Sequence, residues 1–184
     1  MNKSITLNDI PKQVRKVRED LLGLGVNLVI AGGSIRDIYH GRDCKDFDLV
    51  LLSPNSLLGE LHYRQKILSY LEGIAPFREF KNYTENCNSR FGSCMKTNID
   101  GIEIDIVEMR DLEGKLPKTL QEVFSLFDFN LNQFGIDEKG EFHTNFDSDS
   151  GEIVSVREDY LQTRMEYLKC KYPQYKWPKL GLVC

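Results

Sequence analysis

The sequence predicts an α+β fold in which helices flank a mixed β-sheet of about five strands. Three features support this fold class: amphipathic segments with helical spacing, short apolar runs next to glycines, and one segment in which apolar and acidic residues alternate. Apolar residues three or four positions apart indicate a helix, whereas alternation and short apolar runs indicate strands. A chain of 184 residues is long enough for one domain with its own core.

The first predicted helix spans residues 8–25. Asn8 or Asp9 is expected to cap it, Pro11 suits its first turn, and glycines at its end stop it. Its buried stripe is formed by Val14, Val17, Leu21 and Leu22. Four basic residues lie on its other side: Lys12, Arg15, Lys16 and Arg18. They are expected to face solvent, with contact to nucleic acid as the alternative.

Two glycines follow the first predicted strand. The apolar run at 28–31 indicates a buried strand that ends at Gly32 and Gly33, and Ser34 stands where the N-cap of a short helix would lie. A strand, two glycines and the start of a helix expose backbone N–H groups with no Cβ in the way. This arrangement predicts a cradle for phosphate.

Two aspartates lie on the second predicted strand, at 45–52. Asp46 and Asp48 are two residues apart, so both carboxylates point to one face of the strand. Paired oxygen ligands next to a phosphate cradle suit Mg²⁺ bound to a nucleoside triphosphate. A glycine pair alone often forms only a turn, and an aspartate pair alone often lies on a solvated edge. Their order and spacing favour a joint site.

A third carboxylate is predicted further along the chain. The elements expected there are a helix from 53 to about 74, strands within 76–83 and 89–97, a hairpin turn at 98–101 and a strand at 102–109. On that last strand, Asp105 stands on the polar face with Glu103. A third carboxylate suits a two-metal site, and we favour Asp105 over Glu103 for it. The alternative is that both residues form the solvated face of a sheet.

The remaining elements are a short helix, a hairpin turn, a final helix and a tail. Thr119, with Glu122 three residues later, is expected to cap the short helix. The hairpin turn lies at 137–140 within a polar loop at 135–150, the final helix at 153–172 and the tail at 172–179. The tail mixes aromatic and basic residues, which suits stacking on single-stranded bases, although such tails more often pack on a domain surface.

The composition is that of an ordinary globular protein, with 41% hydrophobic and 28% charged residues. No apolar run of 18 residues and no signal-peptide pattern is found, so we expect a cytoplasmic protein without membrane contact. Five cysteines without C-x-x-C spacing favour reduced thiols over a disulfide framework or a zinc site. The net charge of −4 gives nucleic-acid binding no support from bulk charge, but it allows a local basic groove.

The glycine and aspartate motifs together resemble a known family. Residues 32–37 read GGSIRD and residues 45–48 read KDFD. These motifs are similar to the GG-x-[VI]-RD and KD-x-D motifs of the class II tRNA nucleotidyltransferase and bacterial poly(A) polymerase family. Residues 104–110, IDIVEMR, resemble the family's segment with the third acidic residue. The family belongs to the DNA polymerase β-like nucleotidyltransferase superfamily, and the resemblance covers roughly residues 26–150.

The resemblance implies a polymerase β-like nucleotidyltransferase fold with residues 1–150 as the head domain. Residues 151–184 would form a C-terminal helix and tail that pack on the head or extend from it. In complete family members, helical neck, body and tail domains that read the tRNA follow the head. We therefore expect a minimal catalytic head, for which a partner protein is one source of RNA binding.

The resemblance also implies roles for particular residues. The catalytic and metal-binding residues would be Asp46, Asp48 and Asp105, which hold Mg²⁺ in a two-metal site, with Mn²⁺ as an alternative. The nucleotide-binding residues would be Gly32, Gly33, Ser34, Arg36, Asp128 and Asn132. The family reads RRDFTINA where residues 126–133 read LFDFNLNQ. Leu126 and Phe127 therefore replace an arginine pair that helps hold the phosphates in the family.

The expected reaction moves a nucleoside monophosphate from a nucleoside triphosphate, ATP or CTP, to an acceptor hydroxyl and releases pyrophosphate. The favoured acceptor is the 3′ end of a tRNA or tRNA-like RNA, which would place the chain in tRNA processing. Two alternatives stay open. One is transfer to a protein or small molecule, and the other is a catalytically impaired nucleotide-binding module, which the lost arginine pair favours.

Overall fold

The computed structural model of the chain describes residues 4–44, 46–54, 57–81, 91–157 and 162–178. Its α-helices are α1 (Lys12–Gly23), α2 (Gly33–Tyr39), α3 (Leu57–Ile74), α4 (Leu120–Ser125) and α5 (Gln162–Lys171). Its strands are β1 (Leu28–Ala31), β2 (Asp46–Leu51), β3 (Phe77–Lys81), β4 (Phe91–Ile99), β5 (Ile102–Met109), β6 (Phe134–Ile136) and β7 (Phe142–Thr144). Predictions that fall on Lys45, on 82–90 and on 158–161 lie outside the described residues.

The described strands form one mixed sheet in the order β3-β4-β5-β2-β1-β6-β7. β2 and β5 are parallel neighbours, and the other neighbouring strands are antiparallel. The predicted α+β class with a mixed sheet is confirmed, with seven strands where about five were expected. The two additional strands are β6 and β7, which lie on either side of the predicted turn at 137–140. Each has only three residues, too few for alternation to be recognised in the sequence.

The sheet separates two hydrophobic clusters. The larger cluster contains alternate residues of the central strands, such as Phe47 and Ile104, together with the buried sides of α1 and α3. The smaller cluster contains the intervening residues, such as Val50 and Val107, packed with the buried residues of α4. Because side chains alternate along a strand, Asp48 lies on the same face of the sheet as Val50, which is the face of the smaller cluster.

The start of α1 differs from the prediction. The helix begins at Lys12, directly after Pro11, so neither Asn8 nor Asp9 caps it. Asp9 instead accepts hydrogen bonds from the backbone N–H and the hydroxyl of Thr6, at 2.8 and 2.9 Å, in a preceding 3₁₀ turn. A hydrogen-bonded turn before Pro11 satisfies these polar groups without extending the helix.

Arg18 was predicted to face solvent, and this is wrong. Its side chain is buried, and Nη2 donates to the carbonyl oxygens of Asp137 and Glu138, both at 2.8 Å. These carbonyl groups belong to the turn between β6 and β7. A turn that packs against a helix has no strand partner for its carbonyl groups, and the guanidinium of Arg18 supplies the donors.

The final helix was predicted at 153–172, but residues 153–157 are not helical, and the described part of the helix is α5. Phe129 and Ser155 form an isolated antiparallel bridge, and Val156 N–H donates to the carbonyl of Asp128 at 2.8 Å. Further along, Met165 and Leu168 of α5 are buried in the larger cluster. The division into a head of residues 1–150 and an appendage of residues 151–184 stays a prediction. None of the helices that the described residues form is long and apolar enough to cross a bilayer.

Candidate active site

The parallel pairing of β2 and β5 brings the three predicted carboxylates to neighbouring positions. Asp48 lies directly opposite Asp105 in this ladder, and Asp46 lies opposite Glu103. Asp46 is exposed, Asp48 is partly exposed, and Asp105 is 8% exposed. The carboxylates therefore line one end of the sheet face that carries the smaller cluster.

Gly32 lies directly in front of Asp48. Its φ of +94° belongs to the region that glycine adopts without strain. A Cβ at this position would lie 3.4 Å from the ring of Phe127 and 3.7 Å from Oδ2 of Asp48. The glycine turn, Gly32–Gly33, thus lies beside the carboxylate of Asp48, with about the space of one Cβ between them.

Ser34 follows the glycine turn but is not the N-cap that the sequence predicted. α2 begins at Gly33, so Gly32 takes the cap position and Ser34 is the second residue of the helix. Its hydroxyl is buried and has no hydrogen-bond partner within the described part of the chain. The first N–H groups of a helix also have no acceptor within it. The turn therefore offers donors that an anionic group can satisfy.

The carboxylates repel one another at this site. Burial, together with the negative charges of Asp105 and Asp46, raises the pKa of Asp48 to about 7. The positive charges of Lys96 and Arg164 lower it. Burial likewise raises the pKa of Asp105, against the effect of its hydrogen bond from Lys96. The site thus favours an additional positive charge.

Lys96 is the ion-pair partner of Asp105. It lies opposite Asp105 in the antiparallel β4–β5 ladder, and its ammonium group donates to Oδ2. The carboxylate oxygens of the three aspartates do not all lie within 4.8 Å of one another; among the described residues, only Asp137, Glu141 and His143 form such a group. Lys96 attracts Asp105, whereas the like charges of the three aspartates repel one another.

The group at 137–143 lies in the β6–β7 hairpin, away from the aspartates. Asp137 accepts a hydrogen bond from Nε2 of His143 at 2.9 Å and from the backbone N–H groups of Lys139 and Glu141 at 2.9 and 2.8 Å. These are the bonds of a closed hairpin turn, and Arg18 adds its positive charge to them.

Arg36 and Asn132 lie together beside the glycine turn. Both are 3% exposed, and Nη1 of Arg36 donates to Oδ1 of Asn132. Arg36 also pairs with Asp37, with Nη2 at 2.8 Å from Oδ1. The guanidinium is thus held by protein partners, and the nucleotide-binding roles predicted for Arg36 and Asn132 stay predictions.

The fold matches solved structures, although no protein-family model and no curated protein matches the sequence. A tRNA nucleotidyltransferase in complex with a primer tRNA and an incoming ATP analogue aligns with a TM-score of 0.60 and 17% identity, over 89% of this chain and 46% of that one. The Bacillus stearothermophilus CCA-adding enzyme in complex with CTP aligns with a TM-score of 0.59 and 16% identity, over 92% of this chain and 41% of that one. The Thermotoga maritima CCA-adding enzyme in complex with tRNA aligns with a TM-score of 0.58 and 15% identity, over 98% of this chain and 44% of that one.

The chain has the fold of the tRNA nucleotidyltransferases and CCA-adding enzymes. The resemblance predicted from the motifs is confirmed at the level of this fold. The chain spans less than half the length of each of these structures.

Phe127 marks where this tRNA nucleotidyltransferase fold departs from the family motif. Its ring lies against Gly32, so the position at which the family has an arginine does face the glycine turn. Leu126 is buried, and its carbonyl accepts a hydrogen bond from Nη1 of Arg157 at 3.0 Å. The same Nη1 lies 3.8 Å from Oδ1 of Asp128, whose predicted role in nucleotide binding stays a prediction.

Lys96 and Arg164 were not predicted as site residues. The position of Lys96 could have been found, because the predicted hairpin at 98–101 pairs Ile99 with Ile102 and therefore residue 96 with residue 105. Arg164 belongs to α5, whose docking against the sheet leaves no local signal in the sequence.

Proposed function

We propose that the chain transfers a nucleoside monophosphate from a nucleoside triphosphate to an acceptor hydroxyl and releases pyrophosphate. The proposed donor is ATP or CTP, and the proposed acceptor is the 3′ end of a tRNA-like RNA. The solved structures support this choice, since one contains a primer tRNA with an ATP analogue and another contains CTP.

The observation that carries the proposal is the position of Asp48 between Asp105 and the glycine turn. Asp48 pairs in register with Asp105, and its Oδ2 lies 3.7 Å from the place of a Cβ on Gly32. Acidic side chains beside the unpaired N–H groups at the start of a helix can bind a triphosphate together with its counterion.

The donor set fits a divalent metal ion. Aspartate oxygens are the ligands that Mg²⁺ prefers. Burial and the charges of Asp105 and Asp46 raise the pKa of Asp48 in spite of Lys96 and Arg164, so a bound cation would favour its ionised form. Asp46, Asp48 and Asp105 would hold Mg²⁺, with Mn²⁺ as an alternative. When bound, the ion would neutralise phosphate charge and make the acceptor hydroxyl more acidic.

The residues of the chain act by holding the reactants. The N–H of Gly32 is held by the carbonyl of Phe134 at 2.8 Å. The N–H groups of Gly33 and Ser34 at the start of α2, with the hydroxyl of Ser34, donate to the terminal phosphates, so the departing pyrophosphate stays bound as its negative charge grows. Lys96 restrains the carboxylate of Asp105. The acceptor oxygen bonds to the α-phosphorus while the bond from that phosphorus to the pyrophosphate oxygen breaks. Positioning and charge neutralisation account for most of the rate in such reactions.

A labelled-nucleotide assay tests the proposal. The protein is incubated with each α-labelled triphosphate, Mg²⁺ and total RNA, and the label is traced to RNA, protein or small molecules while pyrophosphate is measured. Asp46→Ala should abolish Mg²⁺-dependent release of pyrophosphate, whereas Asp149→Ala, at an exposed position in the loop after β7, should retain it. Undiminished turnover by the Asp46 variant would contradict the mechanism.

A nucleotide-binding module without transferase activity is the second candidate. The apolar ring of Phe127 against Gly32 favours it, because a phenylalanine side chain has no hydrogen-bond donors for phosphate. Calorimetry separates the two candidates when combined with the assay. Triphosphate binding without incorporation of label into any acceptor supports the binding module, and label in RNA supports the transferase.

A further inference from the structure

Tyr172 links the C-terminal end of α5 to the helix that follows the glycine turn. The side chain is fully buried. Its hydroxyl donates to Oδ1 of Asp37 and accepts a hydrogen bond from Nε of Arg36 at 3.0 Å. Arg36 and Asp37 lie in α2, within five residues of Gly32.

The hydroxyl of Tyr172 belongs to a network that leaves no carboxylate oxygen of Asp37 unpaired. Lys171 donates to Oδ2 of Asp37 at 2.6 Å, while Oδ1 accepts from Nε of Arg36 at 2.9 Å as well as from Tyr172. Arg36 extends the network to Asn132. Although burial opposes it, the pKa of Asp37 is lowered, because the charge of Arg36 and the bonds from Lys171 and Tyr172 favour the ionised carboxylate.

Arg36 passes this restraint on to the glycine turn. The backbone N–H of Arg36 donates to the carbonyl of Gly32 at 3.2 Å. A Cβ on Gly33 would lie 3.5 Å from Nη2 of Arg36, so the guanidinium also lies beside the turn. The guanidinium carbon of Arg36 also lies 5.0 Å from the centre of the Tyr172 ring, and that of Arg42 lies 4.7 Å from it. Tyr172 therefore contacts the same guanidinium through both its hydroxyl and its ring.

A buried polar network is a poor means of gaining stability alone. Replacement of buried ion pairs by apolar side chains of similar volume is often neutral or stabilising. What such a network does supply is one fixed orientation for the groups it contains. Here the group so fixed is the first turn of α2, which presents the backbone N–H groups of the glycine turn.

We propose that Tyr172 is a positioning residue, which acts through Arg36 and Asp37 to orient the glycine turn toward the phosphates of the nucleotide. The proposal rests on the proposed function and deepens it, since it assigns part of the phosphate affinity to a residue that touches no phosphate. Lys171 supports Tyr172 by holding the second oxygen of Asp37.

The test measures phosphate binding in Tyr172→Phe, which removes the hydroxyl and keeps the ring. The probes are inorganic pyrophosphate with Mg²⁺, which contacts only the phosphate site, and ATP with Mg²⁺. The matched control is Tyr70→Phe, because Tyr70 in α3 also donates to an aspartate of another helix, Asp20, at 2.8 Å. Urea unfolding of both variants shows how much stability each one loses.

We expect Tyr172→Phe to weaken binding of pyrophosphate and of ATP by about tenfold each, or about 1.4 kcal/mol. In the transferase assay the KM for the triphosphate should rise by a similar factor, with kcat within about twofold of the wild type. Tyr70→Phe should bind both probes as the wild type does, even if it unfolds at the same urea concentration as Tyr172→Phe. A purely structural role of Tyr172 would not separate the two variants in this way.

Two results would overturn the inference. Wild-type affinity for pyrophosphate in Tyr172→Phe would refute the positioning role and leave the proposed function intact. If the wild-type protein itself binds neither probe in the presence of Mg²⁺, the proposed function fails. If Tyr172→Phe does not fold, Lys171→Met takes its place. We expect Lys171→Met to bind pyrophosphate more weakly than the wild type and Lys171→Arg to recover the affinity. No loss in Lys171→Met would then refute the positioning role.

Discussion

Replacement of Asp48 by asparagine should stabilise the metal-free protein above pH 7, although it removes a carboxylate of the proposed site. Burial, with the charges of Asp105 and Asp46, raises the pKa of Asp48 from its ordinary value of 3.8 to about 7. The folded state therefore binds a proton more tightly than the unfolded chain does. The resulting stability is fully present below about pH 4 and is lost as the pH rises through about 7.

The size of the effect follows from the two pKa values. At about 1.4 kcal/mol per pKa unit, the difference between 3.8 and about 7 corresponds to about 4 kcal/mol. Asp48 is partly exposed, and solvent screens part of the repulsion. We therefore expect Asp48→Asn to raise the free energy of unfolding at pH 8 by about 2–4 kcal/mol. Near pH 4 the two proteins should differ by less than about 1 kcal/mol, because Asp48 is then protonated in the folded wild type.

Urea unfolding in EDTA at several pH values between 4 and 8 measures this difference. Asp149→Asn serves as the control, since the same change at an exposed position should leave stability unchanged at each pH. Mg²⁺ should then stabilise the wild type at pH 8 and leave Asp48→Asn unaffected, because binding to the folded state alone raises stability. A wild type as stable as Asp48→Asn at pH 8 without metal would refute the reasoning.

Two further changes test the glycine turn. Gly32→Ala should cost about 1–3 kcal/mol of stability, because a φ of +94° strains alanine, and should weaken binding of ATP with Mg²⁺ in calorimetry. A variant with wild-type stability and affinity would contradict the description of the turn. Phe127→Arg should tighten ATP binding by about tenfold, because a guanidinium beside Gly32 can form charge-assisted hydrogen bonds with phosphate. Unchanged affinity would show that position 127 does not face the phosphates.

Elements set by short-range patterns were predictable from the sequence. Thr119 caps α4 as expected, with its side chain accepting from the N–H of Glu122 at 3.2 Å. The predicted hairpin turn joins β4 and β5, and the isoleucines of β5 enter the larger cluster while Asp105 takes the opposite face. In each case the residues that determine the structure lie within a few positions of one another.

Elements set by distant contacts were not predictable. The parallel ladder that places Asp48 opposite Asp105 joins strands more than 50 residues apart, and only the resemblance to a family indicated it. The contact between Tyr172 and Asp37 spans 135 residues and leaves no periodic signal in either segment. Arg18 appears as part of a charged helix face in the sequence, because its carbonyl partners belong to a hairpin about 120 residues away.

The balance of charge at the aspartates connects stability to function. Lys96 and Arg164 act on Asp48 from β4 and α5, yet its pKa still lies near 7, because burial and the charges of Asp105 and Asp46 outweigh these two cations. Below pH 7 a proton can supply the missing charge, and above it a divalent ion can. Proton and metal then compete for one site, and metal affinity must rise with pH through this range. The carboxylates are costly to the folded protein when no cation is bound, which is expected where side chains are selected to bind one rather than to pack.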